Sequence, residues 1–409
     1  MHDLSLLNAG SFAPAHPVAT DGQQIHHWPP LMREVTRLRQ SLRTPGHLRW
    51  GLSDSDTYRF AIGLLALLAE GRDVYLPGDN RAAATEALLA AKAGLLGDFP
   101  GRDALPIAGS DDSSAASPGP SVTTQQFQLG GTIVVFTSGS TGQPKALRKT
   151  LGQLAAELAT LERQWGQRLS GSQIAGTVSH QHFYGLLFRL LWPLCSGRLF
   201  WRQTFADPAQ FARQMLSAGV QSSWIMSPAH LHRLGDDMPW PALRGRVRAV
   251  FSSGGLLNAQ AAASVAEGLG QPPFEVLGSS ETGGIAWRCQ CPGGEAWQAL
   301  PGVSWRIDDS GALAVRSPML ADDHWYRTAD AASEAGDGRF HLLGRLDRIA
   351  KIEGLRVALP QVEAALNACP EVIDCAVIAR TGQRQSLAAA LVLSDAGIDM
   401  LARQGLPAL

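Results

Sequence analysis

Residues Thr137-Ser138-Gly139-Ser140-Thr141-Gly142-Gln143-Pro144-Lys145 follow directly on the apolar run Thr132-Ile133-Val134-Val135-Phe136. The run reads as a buried strand. Hydroxyl side chains interleaved with glycines can turn backbone N–H and side-chain O–H groups toward one point. Such a concavity holds an anion, most naturally a phosphate chain. Lys145 adds a positive charge at its end. The stretch then reads as a polar turn between the strand and a helix predicted over 151–165. It is not the nucleotide loop of a P-loop NTPase, which needs Gly directly before the Lys and Ser or Thr directly after it. Pro144 and Ala146 stand in those places.

Outward from this segment the chain alternates predicted strands and helices. Helices are expected over 31–43, 55–71 and 82–93, with a strand over 73–76 between the second and third. The Ser/Pro/Gly/Asp-rich stretch 109–126 reads as a surface loop. Beyond the helix at 151–165, strands are predicted over 173–178, 197–201, 222–226, 247–252 and 274–277. Helices follow over 182–192, 208–218, 229–234 and 259–269. Alternating units of this kind argue for parallel sheet covered by helices. From 302 to 327 the pattern changes to short strands with Gly/Asp turns, and a further strand and helix are expected over 349–357 and 359–366.

Composition narrows the function classes. In 409 residues, 45% are hydrophobic and 17% charged, as in a compact enzyme of more than one domain. A net charge of -1 favours neither nucleic acid nor an anionic membrane as partner. The longest apolar run, Phe60 to Ala69, is too short to span a bilayer. No basic, then apolar, leader opens the chain, so no signal peptide is expected. The five cysteines are sparse and odd in number, which fits reduced thiols in cytosol. Only Lys92, Lys145, Lys149 and Lys351 occur, against 31 arginines (35 basic residues minus four). A lysine kept among so many arginines points to a need for a compact ammonium.

All nine positions of the 137–145 segment resemble the phosphate-binding signature of the adenylate-forming enzymes: acyl-CoA synthetases, aryl-acid ligases, luciferases and peptide-synthetase adenylation domains. Further segments resemble that family in its own order. His182-Phe183-Tyr184-Gly185 is similar to a stretch at the acyl-pocket wall. Ser252-Ser253-Gly254-Gly255 is similar to the glycine turn under adenine and acyl group. Leu277-Gly278-Ser279-Ser280-Glu281-Thr282-Gly283 resembles an aromatic-Gly-x-Thr-Glu motif, with Leu277 where most members place an aromatic. Tyr326-Arg327-Thr328-Ala329-Asp330 resembles Tyr-Arg-Thr-Gly-Asp. The run from Gly344 to Val357, with Glu363, resembles the family's hinge motif.

The resemblance implies ATP and Mg²⁺ as cofactors, a carboxylic acid as substrate, and CoA or an acyl carrier protein as acceptor. It implies Lys145, Ser280, Glu281 and His182 as catalytic residues, with Glu281 also on the metal. Thr137, Ser138, Gly139, Ser140, Thr141, Gly142, Gly254, Gly255, Leu277, Gly278, Ser279, Asp330 and Arg345 are implied in nucleotide binding. Asp347 is implied as hinge and Gly354 at the thiol entry. The implied fold is α/β: a large domain over 1–346 of mixed and parallel sheets flanked by helices, carrying a small β-rich subdomain, then a short α+β lid over 347–409. No lysine follows Lys351, and the chain stops 62 residues past Asp347 (409 minus 347). A truncated lid is therefore expected, or one using an arginine such as Arg380, Arg384 or Arg403. The expected activity is acyl- or aryl-adenylate formation and transfer to a thiol, with an aryl acid favoured. The rival is a non-catalytic adenylate- or acyl-binding protein.

Overall fold

The computed structural model describes residues 16–43, 46–78, 82–107, 128–138, 144–235, 238–291, 294–352, 355–380 and 386–404. Expectations for Gly139, Ser140, Thr141, Gly142, Gly354, Arg384 and the 109–126 loop lie outside these residues. The chain divides into two units. The first takes Met1–Gly294, Leu300–Val303 and Ser317–Asp323, and the second takes Glu295–Ala299, Ser304–Arg316 and His324–Leu409.

The first unit holds two mixed sheets. One runs in the order Gly94–Gly97, Arg49–Ser53, Asp73–Leu76, Thr132–Ser138, Pro144–Thr150, with only the last pairing antiparallel. In the other, strands from Phe274–Ser279 through Val247–Ser252, Ser222–Met226, Gln173–Gly176 and Phe200–Trp201 to Pro17–Thr20 are parallel. Antiparallel strands Gly283–Arg288 and Ile25–His27 flank this parallel run. Every residue of Ser222–Met226 is buried, as expected of a parallel strand covered on both faces.

Helix starts follow side-chain chemistry. Thr150 and Gln153 form a reciprocal capping box on Leu151–Trp165. Asp207 caps Pro208–Ala218, where Pro208 is preset for a first turn. The helix expected over 182–192 differs. Phe183–Gly185 gives way to a π-helical turn, Leu186–Leu191, before Trp192–Ser196 resumes the α form. The wider turn comes just before Pro193, which has no N–H to continue the ladder. Inside it the fully buried Arg189 donates to the carbonyls of Val178, Trp201 and Gln203 and to Thr204 Oγ1.

The second unit is an antiparallel sheet ordered Ser304–Ile307, Ala312–Arg316, Tyr326–Gly336, Arg339–Arg345, Trp297–Ala299. A 3₁₀ turn, Leu346–Arg348, leads to the hairpin Ile349–Ile352 and Leu355–Ala358 and the helix Leu359–Asn367. A second hairpin and the helix Asp395–Gln404 complete the α+β segment. The expected α/β class with a β-rich subdomain and a small α+β segment is what the chain forms. Among the described residues no helix is long and apolar enough to cross a membrane.

Candidate active site

The nine-residue segment does not join a strand to a helix. It belongs to a hairpin: Thr137 pairs with Lys145 and Ser138 with Pro144 across antiparallel strands, and the helix begins only at Leu151. The second strand escapes a sequence reading because its inward positions alternate as Leu147 and Lys149, a cation where an apolar residue is expected. Arg148 points the other way and pairs with Asp73 at 2.8 Å, tying the hairpin to its sheet. Lys145, second in this strand, has an exposed side chain.

The 277–283 segment is likewise a turn between strands, here Phe274–Ser279 and Gly283–Arg288. Ser279 and Thr282 hold it reciprocally. Thr282 N–H donates to Ser279 Oγ at 3.2 Å, and Ser279 N–H donates to Thr282 Oγ1 at 3.1 Å. Gly283 has φ +69°, and a Cβ on Gly278 would lie 2.4 Å from the Gly283 carbonyl oxygen, so the turn needs both glycines. Ser280 and Glu281 form its tip.

The two turns meet. Lys145 Nζ stands 3.8 Å from Glu281 Oε1, with side chains 63% and 26% exposed. At that length and exposure the pair adds little stability, and both charges face solvent where a phosphate or a cation can enter between them. Behind the pair lies Lys149, which is 3% exposed. Its ammonium donates to the Glu281 carbonyl at 2.8 Å and the Met319 carbonyl at 3.4 Å, and sits 5.5 Å over the Phe183 ring. Burial lowers its pKa, opposed by the charges of Glu157 and Glu281. Lys149 is thus the lysine that fixes the backbone of the Glu281 turn.

A cavity of about 130 Å³ opens beside these turns. Its walls are apolar at Phe183, Leu187, Phe188 and Val276 and polar at Ser253, Ser279, Ser280 and Glu157, with Gly254 and Gly278 admitting close approach. Of the expected residues, Gly254, Gly278, Ser279 and Ser280 therefore share one cavity. His182 stands exposed at the start of its helix, against Gly78, while the next two residues line the wall. Leu277 is half-buried in its strand, and Gly255 is exposed.

Sequence reasoning missed Glu157. It lies on the buried stripe of Leu151–Trp165 with Leu154, Leu158 and Leu161, and a carboxylate in that stripe was the available signal. One oxygen accepts from the Gly284 N–H at 2.8 Å. Burial pushes its carboxyl up to about 7, opposed by that N–H and by Lys149.

Asp330 and Arg345 belong to the second unit, where they face each other in register across antiparallel strands. Burial raises the Asp330 pKa, opposed by the charge of Arg345. Arg345 donates twice to Asp347, at 2.9 and 2.8 Å. That contact holds the Asp347 carboxyl below its ordinary value.

No cluster of three or more His, Cys, Asp or Glu side chains gathers among the described residues. Mg²⁺ does not need one, since it takes one or two carboxylates and completes its shell with phosphates and water. Glu281, partly exposed beside Lys145, fits that requirement.

The family described as AMP-binding enzyme matches residues 101–319, more than half of the chain. A 4-coumarate–CoA ligase of Rhodobacter capsulatus is 32% identical over 286 residues, covering 66% of this chain and 69% of the relative. Among solved structures, the amide bond synthetase McbA of Marinactinospora thermotolerans superposes with a TM-score of 0.78 at 18% identity, covering 98% of this chain and 92% of that one. ATP-bound MatB from Rhodopseudomonas palustris gives a TM-score of 0.77 at 20% identity, covering 96% and 89%. These two share the fold. The matched stretch contains both turns and every wall of the cavity. The chain belongs to the AMP-binding, adenylate-forming enzymes, whose nucleotide is ATP and whose metal is Mg²⁺.

Proposed function

We propose that the protein is an ATP-dependent acid–thiol ligase. A substrate carboxylate oxygen attacks the α-phosphorus of ATP, the bond to pyrophosphate breaks, and an acyl-adenylate forms. A thiol of CoA or of a carrier protein's phosphopantetheine arm then displaces AMP. The observation that carries this reading is the Lys145–Glu281 approach at 3.8 Å beside a small, mostly apolar cavity. Lys145 and the Ser279 and Ser280 hydroxyls meet the phosphate charge, and Glu281 would hold Mg²⁺. The ion, when bound, supplies charge neutralisation on the phosphates. Lys149 keeps the Glu281 turn in place from below.

The cavity's size favours a small acid. A pocket of about 150 Å³ accommodates benzene, so about 130 Å³ suits one ring or a short chain. An aryl acid is the favoured class, since Phe183 and Phe188 offer ring contacts. In the second unit we assign Asp330 to the ribose hydroxyls, Arg345 to the same sugar, Asp347 to a hinge dividing 1–346 from 347–409, and Gly354 to the thiol path. Five cysteines, none in a disulfide, fit work in the cytosol.

Pyrophosphate release is the test. Aryl and short acids, supplied with ATP and Mg²⁺, should drive it, and CoA or a carrier protein should then yield a thioester. Nucleotide binding with no release from any acid would instead make this an adenylate-binding protein.

A further inference from the structure

We propose that Glu157 is the specificity-determining group of the acid pocket, and that the substrate class is a small acid carrying a neutral hydrogen-bond donor, a hydroxyl or an arylamine. The inference rests on the ligase reading for the word substrate, but its geometry stands on the cavity alone.

Glu157 is 3% exposed and lines the cavity. An ionised carboxylate offers about four acceptor positions. Among the described residues Oε1 accepts from the Gly284 N–H, and no hydrogen bond is seen at Oε2. The backbone opposite is bare. A Cβ on Gly283 would come within 2.8 Å of Oε2, and one on Gly284 within 3.7 Å of Oε1. Gly283 therefore leaves the space that the carboxylate occupies at the cavity wall, and Gly284 stays in ordinary contact with it. If the position served packing alone, a leucine matching its neighbours Leu154, Leu158 and Leu161 would avoid the cost of placing a carboxyl in that stripe. The rest of the wall beside it is largely apolar, so a bound acid whose ring or chain carries a donor satisfies Oε2, and one without leaves it stranded.

The donor should be neutral. Lys149 already holds an ammonium 5.5 Å over the ring of Phe183, a residue of the cavity wall. A substrate ammonium would add an excess positive charge in a low-dielectric wall, whereas an O–H or aniline N–H adds none.

The experiment compares hydroxybenzoates and aminobenzoates with fluorobenzoates of the same substitution pattern, and 3-hydroxybutanoate with butanoate. Fluorine approximates the size of a hydroxyl and donates nothing. Two readouts run on the full chain: pyrophosphate release, and direct binding of each acid by calorimetry. In the native protein at least one donor-bearing acid should exceed its fluoro or unsubstituted partner by about 100-fold in kcat/KM, because sites built around a substrate hydrogen bond reject analogues that lack it. Glu157→Leu should bring that ratio to within about threefold while improving the acid without a donor. Glu157→Gln keeps an acceptor for Gly284, so it folds as the native chain does, and should retain only part of the ratio. A ratio near one in the native protein, a ratio unchanged by either substitution, or no acid bound at all would overturn the proposal. Calorimetry keeps the two readings apart. Preferential binding of donor-bearing acids with no pyrophosphate released would sink the ligase reading and leave Glu157's role standing.

Discussion

Replacing Glu157 by Gln should change how the stability of this protein depends on pH, by an amount that its burial sets. The carboxyl titrates near 4.5 when exposed and at about 7 in the folded chain, with burial the largest cause. Between those values the folded state binds the proton more tightly than the unfolded state. Glu157's stability contribution is therefore intact below pH 4.5 and is lost as pH rises through 7. At about 1.4 kcal/mol per pH unit of separation, the native chain should lose about 2–3 kcal/mol relative to the Gln variant between pH 5 and pH 8. Gln does not titrate, yet its carbonyl still accepts from Gly284, so the comparison isolates the charge. The buried His180, held down to about 3, titrates equally in both proteins and cancels in the difference. Urea unfolding at pH 5, 6, 7 and 8, followed by tryptophan fluorescence, measures it. A difference that stays flat over that range would mean that Glu157 ionises as an exposed carboxyl does, and the picture of an underused buried acceptor would fail.

Lys149→Met should unfold at lower urea by about 3 kcal/mol, since it strands the Glu281 carbonyl and leaves Glu157 buried without its countercharge. Lys145→Ala should leave the unfolding midpoint within about 0.5 kcal/mol of native and slow pyrophosphate release by about 100-fold or more. If both substitutions act alike in both assays, the division between a supporting and a phosphate-facing lysine is wrong. Asp330→Ala should weaken ATP and AMP binding by about tenfold, read by calorimetry, with the melting temperature held. A large drop in melting temperature with nucleotide affinity intact would make Asp330 a purely structural residue of its sheet.

The elements legible in the sequence are those whose ends are written in local chemistry. Leu151–Trp165 and Pro208–Ala218 start and stop where Thr150, Asp207 and Gly219 cap them, and the fully buried strands read as apolar runs. The illegible parts share a different cause. The strand Pro144–Thr150 carries Lys149 at an inward position, which breaks the alternation that would have announced it. Glu157 interrupts the apolar stripe of its helix in the same way. The helix before Pro193 widens around Arg189, a buried guanidinium that satisfies five backbone and side-chain oxygens of neighbouring segments. In each case a charged residue sits where periodicity calls for an apolar one, and the fold bears its desolvation. Local and global preferences agree over most of a natural chain, so such conflicts are expected where function imposes its own demand. Glu157 fits that rule because it lines the cavity, and Lys149 because its ammonium sits over Phe183, a residue of the cavity wall. Arg189 does not line the cavity, yet it braces the turn that carries Leu187 and Phe188 into the cavity wall. The positions at which pattern reading failed therefore lie at the cavity or next to residues of its wall, and misplaced charge in an apolar stripe is a better guide to that cavity than the exposed His182.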